Sequence, residues 1–223
     1  MELSISDTAQ NAVAGEWAGI MLDFEYLMPE DRDAFSDFVR ALKAQLASEK
    51  LVLLLALPPK TCRGQTGLLC EAHDFRVLGR NADLCVLKNA SVALGAPSAL
   101  ADIGRMNEAV RYAVSEIPAK KLLCSLPAGG LQWALPWHQG QRARPLAGAQ
   151  AAEQAVQVGA PIRYDEAAQA PHYNFWRGGT EQEVWFEDAR SYRAKCALAA
   201  EYRLGGVAVP EAAQWYSQLW GIL

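Results

Sequence analysis

The sequence predicts an α/β fold built on a parallel sheet, because apolar strands and amphipathic helices alternate along most of its 223 residues. Two observations carry this prediction. The continuous apolar run at residues 51–57 is typical of a parallel strand that is covered on both faces, and residues 82–87 are predicted to form another buried strand. The runs between them repeat their apolar residues with the period of a helix. With right-handed crossovers, this order predicts either a (β/α) barrel or an open doubly wound sheet.

The first strand and helix are the clearest elements. Residues 18–26 are an apolar run that ends in two acids, and the next helix begins near Pro29, followed by further acids that suit a helix N-terminus. Its apolar residues share one helical face: Phe35, Phe38, Val39, Leu42 and Leu46. The strand at residues 51–57 follows and ends at two prolines.

The same alternation continues through the middle of the chain. A short helix at residues 71–78 precedes the strand at 82–87, and Asp102 suits the N-cap of a helix that reaches Ile117. Residues 121–126 then form another buried strand, which Pro127 ends.

A small α+β insertion is predicted at residues 145–187. It contains an alanine-rich helix at 147–158 and a hairpin that turns at Gly178-Gly179. The main pattern resumes with a helix at 188–202, a strand at 206–209 and a last helix from Pro210. The main domain is therefore assigned to residues 1–144 and 188–223.

Composition excludes several classes of function. The net charge is −4 without a basic run, which argues against nucleic-acid and anionic-membrane partners. No apolar run is long enough to cross a bilayer, and the acidic N-terminus does not resemble a signal peptide, so the chain as written is expected to be cytoplasmic; a longer parent would leave this open. The five cysteines contain no Cys-x-x-Cys pair, which favours free thiols over disulfides or zinc.

Asp23 and Glu25 are the candidate catalytic residues. Side chains two positions apart leave a strand on the same face, so the two carboxylates are expected to project together. Mutual repulsion favours proton binding by one of them, which is the arrangement of a glycosidase general acid. The alternative is that Asp-Phe-Glu merely ends the strand and begins a polar loop.

Several stretches in order resemble glycoside hydrolase family 18, in the chitinase-like branch of N-acetylglucosaminidases that degrade spore-cortex peptidoglycan. They are the run at residues 19–32, the Leu-Pro-Pro-Lys ending at residue 60, the strands that end at Pro127 and Asp188, and Leu-Gly-Gly-Val-Ala at 204–208. The resemblance implies a TIM barrel whose fourth strand carries Asp-x-Glu. The chain would then supply strands four to eight, as a partial barrel, with the insertion after the seventh.

The implied chemistry is substrate-assisted retaining hydrolysis of β-linked N-acetylglucosamine glycans, chitin or peptidoglycan. Glu25 would protonate the glycosidic oxygen, and Asp23 would orient the substrate acetamide that attacks the anomeric carbon. Tyr26 and Trp133 are predicted to contact the sugar, although Trp133 could instead pack the base of the insertion. Neither a cofactor nor a metal is expected.

The chain departs from the family at the site itself. The motif D-x-x-D-x-D-x-E has Ala18 and Met21 at its first two aspartates, and Met-x-Tyr-Asp of the sixth strand aligns with residues 88–91, Lys-Asn-Ala-Ser. A family tyrosine aligns with Gly129 and a family tryptophan with Pro210. These losses predict weak or lost activity, since a single positioned donor is commonly worth about a hundredfold or more in rate.

Three functional classes therefore stay open: a hydrolase, a catalytically silent carbohydrate-binding module, and a protein-association module. A five-stranded sheet of barrel curvature would expose its inner face and edges. This predicts a homo-oligomer, most simply a dimer, or an N-terminal arm packed across the gap; the alternative is a fragment of a longer parent.

Overall fold

The computed structural model describes residues 5–88, 95–209 and 221. The helices are α1 (Ile5–Ala14), α2 (Arg32–Ser48), α3 (Phe75–Asn81), α4 (Ile103–Glu116), α5 (Gly148–Gln157) and α6 (Ala189–Glu201). The strands are β1 (Gly19–Leu22), β2 (Val52–Leu57), β3 (Leu84–Leu87), β4 (Leu122–Ser125), β5 (Gly130–Leu135), β6 (Arg144–Leu146), β7 (Arg163–Asp165), β8 (Ala170–Arg177), β9 (Thr180–Phe186) and β10 (Gly206–Ala208).

The described residues form two compact units. The first contains residues 5–88, 108–124 and 202–206, and the second contains residues 95–107, 125–201, 207–209 and 221. One sheet has the strand order β1-β2-β3-β4-β10 and the other has the order β6-β5-β9-β8-β7.

The first unit is built on parallel pairing of β1 with β2, β2 with β3, and β3 with β4. This confirms the predicted α/β class. Leu53, Leu55 and Leu57 of β2 are buried, as expected for a strand with neighbours on both sides. The predicted apolar face of α2 is also confirmed, with Phe35 and Val39 among its buried residues.

Two elements of the first unit differ from expectation. The helix predicted at residues 71–78 begins later, at Phe75, because Asp74 is its N-cap and accepts hydrogen bonds from the backbone of Arg76 and Val77. The sequence predicts at most a short extra strand at residues 3–5, whereas in the structure Ile5 begins α1. The apolar residues that follow it recur with a helical period, which leaves Ala9 and Ala12 buried.

The second unit is centred on the antiparallel sheet. The hairpin of β8 and β9 is confirmed: Arg177 pairs with Thr180 across the turn, and Gly178 and Gly179 have φ of +57° and +77°. Both values lie in the left-handed region that glycine adopts without strain.

The antiparallel sheet begins upstream of the predicted insertion boundary at residue 145. Strand β5 starts at Gly130 and pairs along its length with β9. It was not predicted from the sequence because it begins within a pair of glycines, Gly129 and Gly130, and because its partner lies far along the chain. A Cβ atom on Gly130 would lie 2.7 Å from Cβ of Phe186, so this close approach requires glycine.

A buried polar cluster joins the end of β9 to α6. Lys195 Nζ and Ser191 Oγ both donate to Oε2 of Glu187, at 2.7 and 2.6 Å. Burial raises the pKa of Glu187, while the nearby lysine opposes that effect. The helix predicted from Pro210 lies outside the described residues. No helix among those described is long and apolar enough to cross a membrane.

Candidate active site

The candidate site begins where β1 ends. Strand β1 lies close to β2 because residue 19 is glycine: a Cβ atom there would lie 2.2 Å from the carbonyl oxygen of Val52. Leu22 pairs with Leu55, and the chain leaves the strand at Asp23. The two acids therefore follow the carboxyl end of a strand, which is the end at which parallel α/β folds place ligands.

Phe24, between the two acids, anchors this segment to α2. Its ring centroid lies 5.5 Å from that of Phe35 and 6.1 Å from that of Phe38, and both pairs are edge-to-face. Such aromatic contacts stabilise by about 1 kcal/mol beyond the area they bury. The anchor restrains the backbone on which Asp23 and Glu25 are carried.

Lys88 joins the two acids. Its Nζ lies 2.9 and 3.1 Å from Oδ1 and Oδ2 of Asp23, and it also donates to Oε1 of Glu25. Lys88 follows β3, and its backbone N–H donates to the carbonyl of Leu57 at 2.8 Å. The lysine is thus fixed at the end of the sheet, two strands away from the acids that it contacts.

The ion triad of Asp23, Glu25 and Lys88 is partly open to solvent. The exposed fractions of the three side chains are 45%, 46% and 33%. Partial burial acts to lower the pKa of Lys88, but the hydrogen bonds to Glu25 and Asp23 outweigh it and raise that pKa above its ordinary value. Lys88 is therefore a cation at neutral pH.

Two more titratable groups lie near the triad. Burial lowers the pKa of His73 to about 4, although the Phe24 backbone opposes the shift, so its imidazole is neutral at pH 7. Lys60 is also buried, and its Nζ donates to the carbonyl of His73 at 3.2 Å. Burial lowers the pKa of Lys60 as well. Sequence reasoning missed both residues, since nothing in the pattern distinguishes them from surface groups.

The structure brings Asp23 and Glu25 together at Lys88, but β1 ends at Leu22, so the two acids follow the strand and do not lie on one of its faces. Tyr26, the next residue, is 65% exposed and has a φ of +59°, in the left-handed region that costs a residue with a side chain about 1–2 kcal/mol. Its ring is accessible to solvent. The catalytic and substrate-binding roles of these residues remain predictions.

Trp133 is in a different environment. It lies on β5 in the second unit, only 1% of it is exposed, and its Nε1 donates to the carbonyl of Gly95 at 3.0 Å. Leu131 and Trp185 belong to the same apolar cluster. This burial favours the alternative given above, in which Trp133 packs the insertion, over stacking on a sugar.

The family departures can be placed where the structure describes them. Met21 is 47% exposed, and Gly129 has a φ of +88° and accepts a hydrogen bond from the backbone of Glu187 at 2.9 Å. Residues 89–91 and Pro210 lie outside the described residues. Lys88 is the first residue of the stretch that aligns with the family's Met-x-Tyr-Asp, and nothing in the sequence links it to the two acids.

The chemistry of the site is that of two carboxylates and an ammonium group. Residues 5–88, 95–209 and 221 contain no cluster of three or more His, Cys, Asp or Glu side chains that could hold a metal ion. The site offers a proton donor or acceptor and a carboxylate partner for an amide or a developing positive charge.

Comparison with known proteins supports the resemblance seen in the sequence. The family model for glycosyl hydrolases family 18 matches residues 9–214. The chain is 35% identical to the cortical fragment-lytic enzyme of Bacillus cereus and 36% identical to that of Bacillus subtilis. Each alignment covers 98% of this chain and 52% of the relative, so the chain spans about half the length of these relatives.

Solved structures agree with the sequence comparison. The spore cortex-lytic enzyme SleL of Bacillus cereus superposes with a TM-score of 0.93 at 36% identity, over 98% of this chain and 51% of that one. A chitinase of Chromobacterium violaceum superposes with a TM-score of 0.91 at 26% identity, over 98% and 68% of the two chains. The match to the family model, the cortex-lytic relatives and the shared α/β fold agree with one another, and the chain belongs to glycosyl hydrolases family 18.

Proposed function

We propose that this protein hydrolyses β-linked N-acetylglucosamine glycans, and that peptidoglycan of the spore-cortex type is its substrate. The observation that carries the proposal is the position of Asp23 and Glu25 directly after the carboxyl end of β1, where both carboxylates contact Lys88. In a family 18 chain, two neighbouring carboxylates can carry out substrate-assisted cleavage, which needs no enzyme nucleophile.

In the proposed mechanism, Glu25 protonates the glycosidic oxygen as the bond to the leaving sugar breaks. The acetamide oxygen of the substrate attacks the anomeric carbon and gives a cyclic oxazolinium ion. Asp23 holds the acetamide N–H and offsets the positive charge of that ion. Glu25 then accepts a proton from the water that opens the ring and restores the configuration at the anomeric carbon.

The peptidoglycan assignment is supported by relatives. The Bacillus proteins named above are cortical fragment-lytic enzymes, whereas the Chromobacterium protein is a chitinase of lower identity. In this proposal, the sheet β1-β2-β3-β4-β10 corresponds to strands four to eight of a TIM barrel, and a second copy of the chain covers the open part of the sheet.

The test is hydrolysis of chitotriose and of purified cortex glycan by the wild type and by Glu25→Gln. The control is Glu30→Gln, which makes the same change at an exposed glutamate outside the ion triad. We expect cleavage by the wild type and the control and its loss in Glu25→Gln. Equal cleavage by all three proteins would show that Glu25 is not the acid.

A second function is favoured by the triad itself. The site would bind glycans without cleaving them if Lys88 keeps both carboxylates occupied and if cleavage needs the family tyrosines and tryptophan that the sequence lacks. Calorimetric binding of chitotriose by both the wild type and Glu25→Gln, with no reducing ends released, would establish this carbohydrate-binding function instead. A sedimentation measurement checks the proposed dimer.

A further inference from the structure

Lys88 has a position that the proposed mechanism does not explain. Three carboxylate oxygens surround its Nζ: both oxygens of Asp23 and Oε1 of Glu25. A general acid must carry a proton when the substrate binds, and a carboxylate paired with an ammonium group favours the opposite state.

We propose that Lys88 is a positioning residue whose ammonium group occupies both carboxylates of the Asp23–Glu25 pair, so that a sugar must displace it before Glu25 can act as an acid. This inference rests on the proposed function and concerns the control of the same site. In the absence of a ligand, Glu25 and Asp23 are then both bound to the ammonium group of Lys88, and a sugar cannot contact them until that group moves.

The geometry supports displacement over a permanent structural pair. All three side chains are between one third and one half exposed, so a ligand can reach them and water can replace the lost contacts. Ion pairs in such environments are weak enough to open. The backbone bond from Lys88 to the carbonyl of Leu57 holds the residue at the end of the sheet, so Nζ can leave the two carboxylates while the main chain stays in place.

The charges around Lys88 agree with this role. Asp23 and Glu25 face it from the end of β1. The other titratable groups described near it, His73 and Lys60, carry no negative charge that could bind its ammonium group. His73, before α3, is neutral at pH 7, because burial lowers its pKa to about 4, and Lys60, after β2, bonds to the His73 carbonyl. Lys88 itself stays cationic, which excludes a role as an amine nucleophile.

Lys88 balances the charge of the site from another strand. It follows β3, whereas Asp23 and Glu25 follow β1. Residues 18–25 contain no acid other than these two, so the ammonium group of Lys88 contacts both acids of the segment.

The first test measures Lys88 directly and needs no activity. Trace labelling with acetic anhydride, read by mass spectrometry, compares the acylation rate of Lys88 with that of exposed Lys120. An ammonium group bound to two carboxylates is protected, so we expect Lys88 to react about tenfold more slowly than Lys120. The protection should disappear in the double variant Asp23→Asn/Glu25→Gln and fall when chitotriose is bound.

The second test replaces the lysine. In Lys88→Met, chitotriose should bind about tenfold more tightly at pH 7, and the alkaline limb of the pH–hydrolysis profile should move to higher pH, because removal of a neighbouring cation makes a carboxylic acid release its proton less readily. Lys88→Arg keeps the charge and should behave like the wild type, while Lys120→Met is the matched control. A merely structural lysine would not move the pH profile.

The outcomes separate this inference from the proposed function. Equal acylation of Lys88 and Lys120, or a Lys88→Met variant with unchanged affinity and pH profile, would overturn the role of Lys88 while leaving hydrolysis intact. Loss of hydrolysis in every protein, with the labelling and affinity responses preserved, would refute the hydrolase alone. Failure of both chitotriose and cortex glycan to bind the wild type and every variant would refute both.

Discussion

Nζ of Lys195 lies 2.7 Å from Oε2 of Glu187, and neither side chain is exposed to solvent. Removing one partner of such a pair leaves a buried charge without compensation, which commonly costs about 3–5 kcal/mol. We expect Lys195→Met to lower the free energy of unfolding by about that amount in urea denaturation. The double variant Glu187→Gln/Lys195→Met should recover much of the loss; a double variant as unstable as the single one would show that packing, and not charge, is responsible.

Stability should fall as the pH decreases from 6.5 to 4 because of His73. The folded protein keeps this imidazole neutral to about pH 4, whereas the unfolded chain binds a proton below about 6.5. The unfolded state therefore holds more protons in this window, and acidification favours unfolding, by up to about 3 kcal/mol at the lower end. Above pH 6.5 the contribution is constant.

The measurement is the free energy of unfolding against pH for the wild type and His73→Phe. Phenylalanine keeps an aromatic ring beside Phe35, whose centroid lies 5.5 Å from that of the imidazole. The variant should show a flatter dependence between pH 6.5 and 4, whatever its absolute stability. Parallel curves would contradict the assignment.

Gly19→Ala should disturb both stability and the candidate site. The new methyl group would lie 2.2 Å from a backbone oxygen of β2, so β1 would have to shift and move Asp23 with it. We expect a loss of about 1–3 kcal/mol. Gly64→Ala is the control, because a Cβ atom there has no neighbour within 4 Å. Equal thermal midpoints for the two variants would contradict the expectation.

The thiols should differ widely in reactivity. Cys62 is exposed, whereas Cys85 is buried and burial raises its pKa to about 12. Because the thiolate is the reactive form, an aromatic disulfide reagent should label Cys62 rapidly and Cys85 only on unfolding. Cys62→Ser should abolish the fast phase, and a fast phase that survives this change would identify a different accessible thiol.

Local patterns predicted most of the fold. The helical face of α2, the buried run of β2 and the two-glycine hairpin of β8 and β9 each depend on neighbours in sequence, and all three are confirmed. Strand β5 was not predicted, because it pairs with β9, which is far from it in the sequence. The start of α1 at Ile5 was missed because few residues precede it.

The candidate site was predictable only in part. The spacing of Asp23 and Glu25 identified the acids, but both follow the end of β1, and they meet through their shared contact with Lys88. Lys88 could not be assigned to them, because its contact depends on the order of strands in the sheet and on a side-chain conformation. Burial, which sets the pKa of His73, is likewise a property of the folded chain.

The contact of Lys88 with both acids also bears on how a site is recognised from a short motif. Lys88, directly after β3, places a positive charge against both carboxylates of Asp-Phe-Glu. A search that scores that tripeptide alone would not register this charge. A score that also included the residue at the end of the strand two positions away in the sheet would register it.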